Sequence, residues 1–125
     1  MSRIQLSINV SDFDAAVAFY SRLFGAPPAK LRPGYANFAL DDPPLKLVLN
    51  SPGNGPGGTI NHLGVEVSLT RDVTLAGTRL AGAGLATDSR PGTECCYARQ
   101  DKVWVHDPDG VAWEYYTVLE HIETP

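Results

Sequence analysis

Sulfur is scarce in this chain: two cysteines and one methionine among 125 residues. Two thiols are too few for a disulfide framework, and Met1-Ser2-Arg3-Ile4-Gln5 opens on strand-like alternation rather than a secretory signal. Reduced thiols in a cytoplasmic protein are therefore expected. Runs of one charge are also missing. The formal net charge is -4 with acidic and basic residues interspersed, and without a basic patch a nucleic-acid partner is excluded. Long apolar runs are absent as well: none approaches the roughly 18 residues of a membrane span, so no membrane partner is expected. What remains, 43% hydrophobic and 19% charged, suits one compact domain or two small repeats sharing a core.

A diverged internal repeat is what the chain does contain. Ile4-Gln5-Leu6-Ser7-Ile8-Asn9-Val10 aligns with Asn61-His62-Leu63-Gly64-Val65-Glu66-Val67 at an offset of 57 positions, and both alternate as strands do. A helix follows each. The first opens at Ser11 or Asp12, carries Phe13, Ala16, Val17, Tyr20, Leu23 and Phe24 at helical spacing, and stops at Gly25. The second opens at Thr70 or Asp72, runs through Val73, Ala76, Leu80 and Ala83, and closes at Gly84. Each half then ends in a hairpin: residues 36–40 with 45–49, and 103–106 with 112–118, the latter turning on Asp107-Pro108-Asp109-Gly110. A strand near Tyr35 and another around Cys95 to Ala98 complete a strand-helix-three-strand module in each half. The modules span about 1–50 and 59–119, with the Gly- and Pro-rich stretch 50–58 between them.

Both cysteines sit together, in Thr93-Glu94-Cys95-Cys96-Tyr97. Two readings stand side by side. Free cysteine packs as a small hydrophobe, so the pair could be core; adjacent thiols are also natural pincers for a thiophilic atom. The breaker-rich lead-in Asp88-Ser89-Arg90-Pro91-Gly92-Thr93 suggests that they ride on a mobile loop.

Two βαβββ modules in tandem resemble the plan of the vicinal oxygen chelate superfamily over nearly the full length of the chain. That superfamily includes glyoxalase I, extradiol dioxygenases and bleomycin- and fosfomycin-resistance proteins. The resemblance implies an α+β fold with a curved mixed sheet, and metal ligands on the first and last strands of the modules. Read through the repeat, the first-strand positions are Gln5 and His62. Setting the hairpins together by their turns, at an offset of 67 positions, matches Glu114 with Leu47. Leucine cannot ligate. Gln5, His62 and Glu114 remain as a hard-to-borderline set suited to Fe(II) or Mn(II), with coordination positions left open for catalysis. Taken singly, His62 could be a core histidine, and Gln5 a solvent-facing strand residue.

Longer blocks resemble one subgroup, the ArsI-type carbon-arsenic lyases and CadI-type cadmium-induced proteins. They are Lys30 to Ala39, Pro43 to Leu49, Asn61 to Val67 and Cys95-Cys96-Tyr97-Ala98-Arg99-Gln100-Asp101-Lys102-Val103-Trp104-Val105. The resemblance implies Fe(II) at Gln5, His62 and Glu114, and a trivalent organoarsenical such as methylarsenite on the catalytic and substrate-binding pair Cys95 and Cys96. Dioxygen is the implied cosubstrate and arsenite the product, in a monomer or homodimer. Two other functions stay open: a non-catalytic cadmium or arsenite binder, and another glyoxalase- or dioxygenase-type enzyme. Among the other polar residues, Lys102 and Arg99 read as solvated surface charge, His106 as an exposed turn residue, and His121 as part of a disordered tail. Tyr35, Phe38 and Tyr97 read as core or pocket wall.

Overall fold

The computed structural model describes residues 2–125 and divides into two compact units, Arg3–Leu63 and a second beginning at Gly64. The first contains β1 (Arg3–Asn9), α1 (Phe13–Phe24), β2 (Lys30–Arg32), β3 (Tyr35–Leu40), β4 (Leu45–Asn50) and the opening of β5 (Ile60–Glu66). The second takes the end of β5, then α2 (Thr70–Gly82), β6 (Asp88–Cys95), β7 (Ala98–His106) and β8 (Ala112–His121). Strand order is β2-β3-β4-β1 in the first and β6-β7-β8-β5 in the second. Each is therefore the same βαβββ module, its last strand lying beside its first. In the first unit β1 runs parallel to β4 while β3 and β4 form an antiparallel hairpin, so the sheet is mixed, as expected.

Local chemistry sets the helices. The Asp12 carboxylate accepts the Ala15 N–H at 3.1 Å and caps α1. Gly25 ends it in the left-handed region at φ 66°. The helix lays Ala16, Val17, Tyr20 and Phe24 over a buried cluster of Ala36, Phe38, Leu47 and Leu49. The ring centroids of Phe24 and Phe38 lie 5.7 Å apart. No side chain caps the start of α2 at Leu69. Its buried face is Val73, Ala76 and Leu80, while Ala83, expected on that face, is exposed. Gly84 at φ 87° and the Leu85 N–H to Leu80 carbonyl bond of 3.1 Å close it in a Schellman arrangement.

Alternation on β1 gives the first unit two different faces. Leu6 and Ile8 pack toward α1, whereas Gln5, Ser7 and Asn9 lie on the opposite face and are also buried. Burying polar groups without partners is costly, and no buried side-chain nitrogen or oxygen among the described residues lacks one. Faces also correct the expected hairpin equivalence. The turn between β3 and β4 holds residues 41–44 and that between β7 and β8 holds 107–111, so aligning by the turns leaves a one-residue ambiguity. Leu47 packs on the helix side with Phe38. Tyr115 meets Arg79 of α2, which puts its neighbour Glu114 on the side away from the helix. The bond from Val10 N–H to the Asn50 carbonyl and its counterpart from Val67 N–H to the Tyr116 carbonyl match Glu114 with Val48 instead. Valine, like leucine, cannot ligate.

Two further expectations are overturned. Residues 88–95 form the strand β6 rather than a mobile loop; it pairs antiparallel with β7, and a bulge accommodates Pro91 and Gly92. His121 is the last residue of β8, paired with Ala98, because the strand extends past the apolar stretch along β7, with Arg99 paired to Glu120 beside it. A Cβ added at Gly25 would meet nothing within 4 Å, so Gly25→Ala isolates backbone strain. Urea unfolding is expected to show a loss of about 1–2 kcal/mol; an unchanged midpoint would contradict the left-handed cap.

Candidate metal centre and thiol site

Strand geometry brings Gln5 and His62 together in the first unit. Gln5 is 4% exposed, not solvent-facing, and its Nε2 lies 3.1 Å from Nε2 of His62. Donors at about 2.1 Å from a metal and roughly 90° apart are separated by about 3 Å, so this pair has the spacing of two adjacent ligands once the amide presents its oxygen. On the other side of the ring, His62 Nδ1 is 2.8 Å from Oδ1 of Asn61, the kind of outer contact that orients a ligating imidazole. Among the described residues no three His, Cys, Asp or Glu side chains converge, so a centre built on this chain must recruit the glutamine. The donor types, amide oxygen, imidazole nitrogen and carboxylate, fit an Fe(II) or Mn(II) ion.

Glu114 and the cysteines lie in the second unit, joined through Lys102. The register of β7 with β8 pairs Lys102 with Tyr116 and Trp104 with Glu114, so Lys102 and Glu114 share a face as diagonal neighbours. Lys102 Nζ donates to Glu114 Oε1 at 2.6 Å with both side chains under 5% exposed (3% and 4%), and to Cys95 Sγ at 3.4 Å. The rings of Trp104 and Tyr116 lie 5.2 and 5.7 Å from the ammonium. Lys102 is thus no solvated surface charge. Period-two alternation from Glu114 across the hairpin was the signal for it, and it required the register. Burial by itself would lower the Lys102 pKa, but the negative charges of Glu114 and Cys95 more than offset that and raise it.

Cys95 and Cys96 are free thiols where β6 ends and its turn begins, so the single strand expected around Cys95 to Ala98 is instead a hairpin turn joining β6 to β7. Cys95 pairs with Ala98, which leaves Cys96 and Tyr97 as the two turn residues, at φ 56° and 61°. Asparagine and glycine usually fill such a turn, and side chains there cost about 1–2 kcal/mol each. Strain held in this way commonly marks a functional position. The Cys96 thiol donates to the Cys95 sulfur, and together with Lys102 it lowers the Cys95 pKa from 9.0 to about 6. The same sharing, with burial, raises that of Cys96. Gln100 Nε2 adds a contact of 3.7 Å to the Cys95 sulfur. The shared hydrogen bond and Lys102 thus favour the thiolate at Cys95 over Cys96. The Cys95 sulfur opens on a cavity of about 300 Å³ lined by Asp88, Arg90, Thr93, Lys102 and Trp104.

The remaining expected positions sort simply. Arg99 is on the surface, paired with Glu120 at 2.9 Å. His106 is exposed at the end of β7. Tyr35, Phe38 and Tyr97 are all buried. Among the described residues, no helix is long and apolar enough to cross a membrane.

Comparison with known proteins agrees with this architecture. The model of the Glyoxalase/Bleomycin resistance protein/Dioxygenase superfamily matches residues 3–115, and the chain belongs to that family. Among its relatives, the cadmium-induced protein CadI of Mycobacterium tuberculosis is 60% identical over 125 residues, 99% of this chain and 81% of the relative. A trivalent organoarsenical cleaving enzyme of Thermomonospora curvata is 52% identical over 124 residues, 99% of this chain and 82% of the relative. Among solved structures, a glyoxalase/bleomycin resistance protein/dioxygenase superfamily member from Vibrio splendidus superposes with a TM-score of 0.57 at 17% identity. That match covers 95% of this chain and all (100%) of the other, and it shows the shared fold.

The thiolate is open to direct measurement. Iodoacetamide alkylation of Cys95 is expected to rise with pH through a midpoint near 6, because the sulfur reacts as the anion, which forms as pH climbs past the lowered value. Lys102→Met alone would take the ion-pair partner from the buried Glu114 carboxylate and destabilise the fold. Lys102→Met combined with Glu114→Gln removes both charges and is expected to move the midpoint upward by the part Lys102 supplies, while the larger contribution of the Cys96 thiol stays in place. An unmoved midpoint would show that Lys102 does not hold the thiolate.

Proposed function

We propose that this chain, acting as a single two-module domain, cleaves the carbon-arsenic bond of trivalent organoarsenicals in an Fe(II)- and dioxygen-dependent reaction that releases arsenite. The observation that carries this reading is the adjacent thiol pair, one sulfur of which is favoured as the anion by the Cys96 thiol and by Lys102. The 52% identity to a relative named a trivalent organoarsenical cleaving enzyme supports the same substrate class.

Methylarsenite has two exchangeable hydroxyls and one carbon-arsenic bond. The Cys95 thiolate attacks arsenic and one hydroxide leaves, taking its proton from the Cys96 thiol to depart as water. Cys96, now the thiolate, displaces the second hydroxide. Two arsenic-sulfur bonds replace two arsenic-oxygen bonds, and the carbon-arsenic bond stays intact. Lys102 and Gln100 position the first sulfur, while the strained turn fixes where the second one sits. Anchoring the substrate at two points supplies the proximity that the cleavage step requires. Gln5, His62 and Glu114 are the residues that would hold the iron, which when bound supplies the activation of dioxygen. Trp104 bounds the cavity on the Cys95 side, and trivalent aromatic arsenicals are further candidate substrates where that cavity is wide enough for the ring.

A second reading is favoured by the 60% identity to a cadmium-induced protein: Cys95 and Cys96 take a soft ion without turnover. Aerobic incubation of the Fe(II)-loaded protein with methylarsenite, with arsenic species resolved by chromatography, separates the two. Arsenite is the expected product; none above the metal-free control would leave the sequestering role. Replacing both cysteines by serine is expected to lower cleavage at least about 100-fold, as loss of proximity alone can do, and retained cleavage in that variant would refute the thiol anchor.

A further inference from the structure

Beside His62 lies a chain of side-chain amides that neither the iron nor the thiols account for. Its orientation follows from fixed backbone groups. The Asn54 backbone N–H can only donate, and it points at Asn9 Oδ1 at 3.1 Å, so that atom is an oxygen. The opposite end of the Asn9 amide confirms the assignment. Thr59 Oγ1 gives its hydrogen to the Pro56 carbonyl at 2.6 Å, and its oxygen therefore accepts from Asn9 Nδ2 at 2.9 Å. Asn9 Nδ2 also donates to Asn54 Oδ1 at 3.0 Å, and Asn54 Nδ2 to the Asn61 carbonyl at 3.3 Å. With Asn9 Oδ1 settled as an acceptor, the Asn61 group 3.0 Å from it is the donating Nδ2. Asn61 then turns its Oδ1 to His62 Nδ1 at 2.8 Å. An oxygen there accepts, so Nδ1 carries the ring proton, and in the neutral imidazole Nε2 is left with a lone pair aimed toward Gln5.

The loop that starts this chain is built for it. A Cβ on Gly53 would lie 2.0 Å from Asn9 Oδ1, and one on Gly57 2.8 Å from the Ser11 side chain. Only glycine lets residues 53–54 close over Asn9. The Gly- and Pro-rich stretch is thus the outer wall of the amide chain.

We propose that Asn61, locked by Asn9 and the Gly53-Asn54 turn, is a positioning residue that holds His62 in the Nδ1-protonated tautomer and so presents Nε2 as a metal donor. This rests on the reading of His62 as a metal ligand. A histidine in water exchanges between tautomers, and every moment spent with Nε2 protonated is lost to metal binding.

The test reads the tautomer itself, in metal-free protein labelled with ¹⁵N-histidine, with the His62 signals assigned by their loss in His62→Ala. Proton-nitrogen correlation spectra are expected to show Nδ1 protonated in the wild type and a mixture of tautomers in Asn61→Leu. Mn(II) affinity, followed by electron paramagnetic resonance, is expected to fall roughly 10–100-fold in Asn61→Leu. Asn61→Asp, which keeps an oxygen facing Nδ1 but gives up the Nδ2 bond to Asn9, is expected to retain the Nδ1-protonated tautomer. An Nε2-protonated wild type overturns the proposal without recourse to any variant. It is overturned equally if Asn61→Leu keeps the wild-type tautomer and binds Mn(II) as tightly. If His62→Ala binds Mn(II) like the wild type, the metal-ligand reading fails, whatever the tautomer spectra show.

Discussion

The second unit depends on one buried ammonium. Lys102 is taken out of water at a cost of several kcal/mol, and that is tolerable because Glu114 and the Cys95 sulfur face it while two aromatic rings present their π faces to it. The dependence is mutual. Without the ammonium, the Glu114 carboxylate is a buried charge with its closest compensation removed, and the Cys95 thiolate keeps the Cys96 hydrogen bond but loses the cation beside it. A proposed metal ligand and a proposed substrate ligand are thus stabilised by one cation, so neither can be altered without disturbing the other.

Beside Gln5 the first unit buries Lys46, but its polar face is organised chiefly by neutral groups. Its buried polar face holds Gln5, Ser7 and Asn9, and amide-to-amide hydrogen bonds orient it where the second unit uses charge. Amides are ambiguous partners, since nitrogen and oxygen occupy similar positions. Here backbone donors and acceptors at Asn54, Pro56 and Asn61 remove the ambiguity. Two copies of one βαβββ plan have therefore acquired different polar interiors: one carries an amide chain ending on an imidazole, the other a lysine between a carboxylate and a thiol.

How far the fold could be read varied with the kind of signal. The first helix was legible because Asp12, its apolar spacing and Gly25 act within a few residues of one another. The hairpin around Leu47 was read one residue out of register, since turns of different length do not say which face a strand presents. The Asp88 to Thr93 stretch looked like a loop because Pro91 and Gly92 break regular patterns, yet an edge strand tolerates both through a bulge. Lys102 looked like solvated charge because a lone lysine gives no local sign of burial; its carboxylate lies twelve positions away, across a turn.

By itself the sequence determined the repeated module, both helices, the nearness of Gln5 to His62 through equivalent first strands, and the pairing of the thiols. The module, the helices and the thiol pairing follow from periodicity and from residues adjacent in the chain; the nearness of Gln5 to His62 followed from the family resemblance read through the repeat. Tertiary structure alone decided which cysteine becomes the anion, what Lys102 does, and which way Asn61 faces. Those properties depend on the burial of a charge and on hydrogen bonds closed between strands. Hairpin register and loop closure, not local composition, fix both.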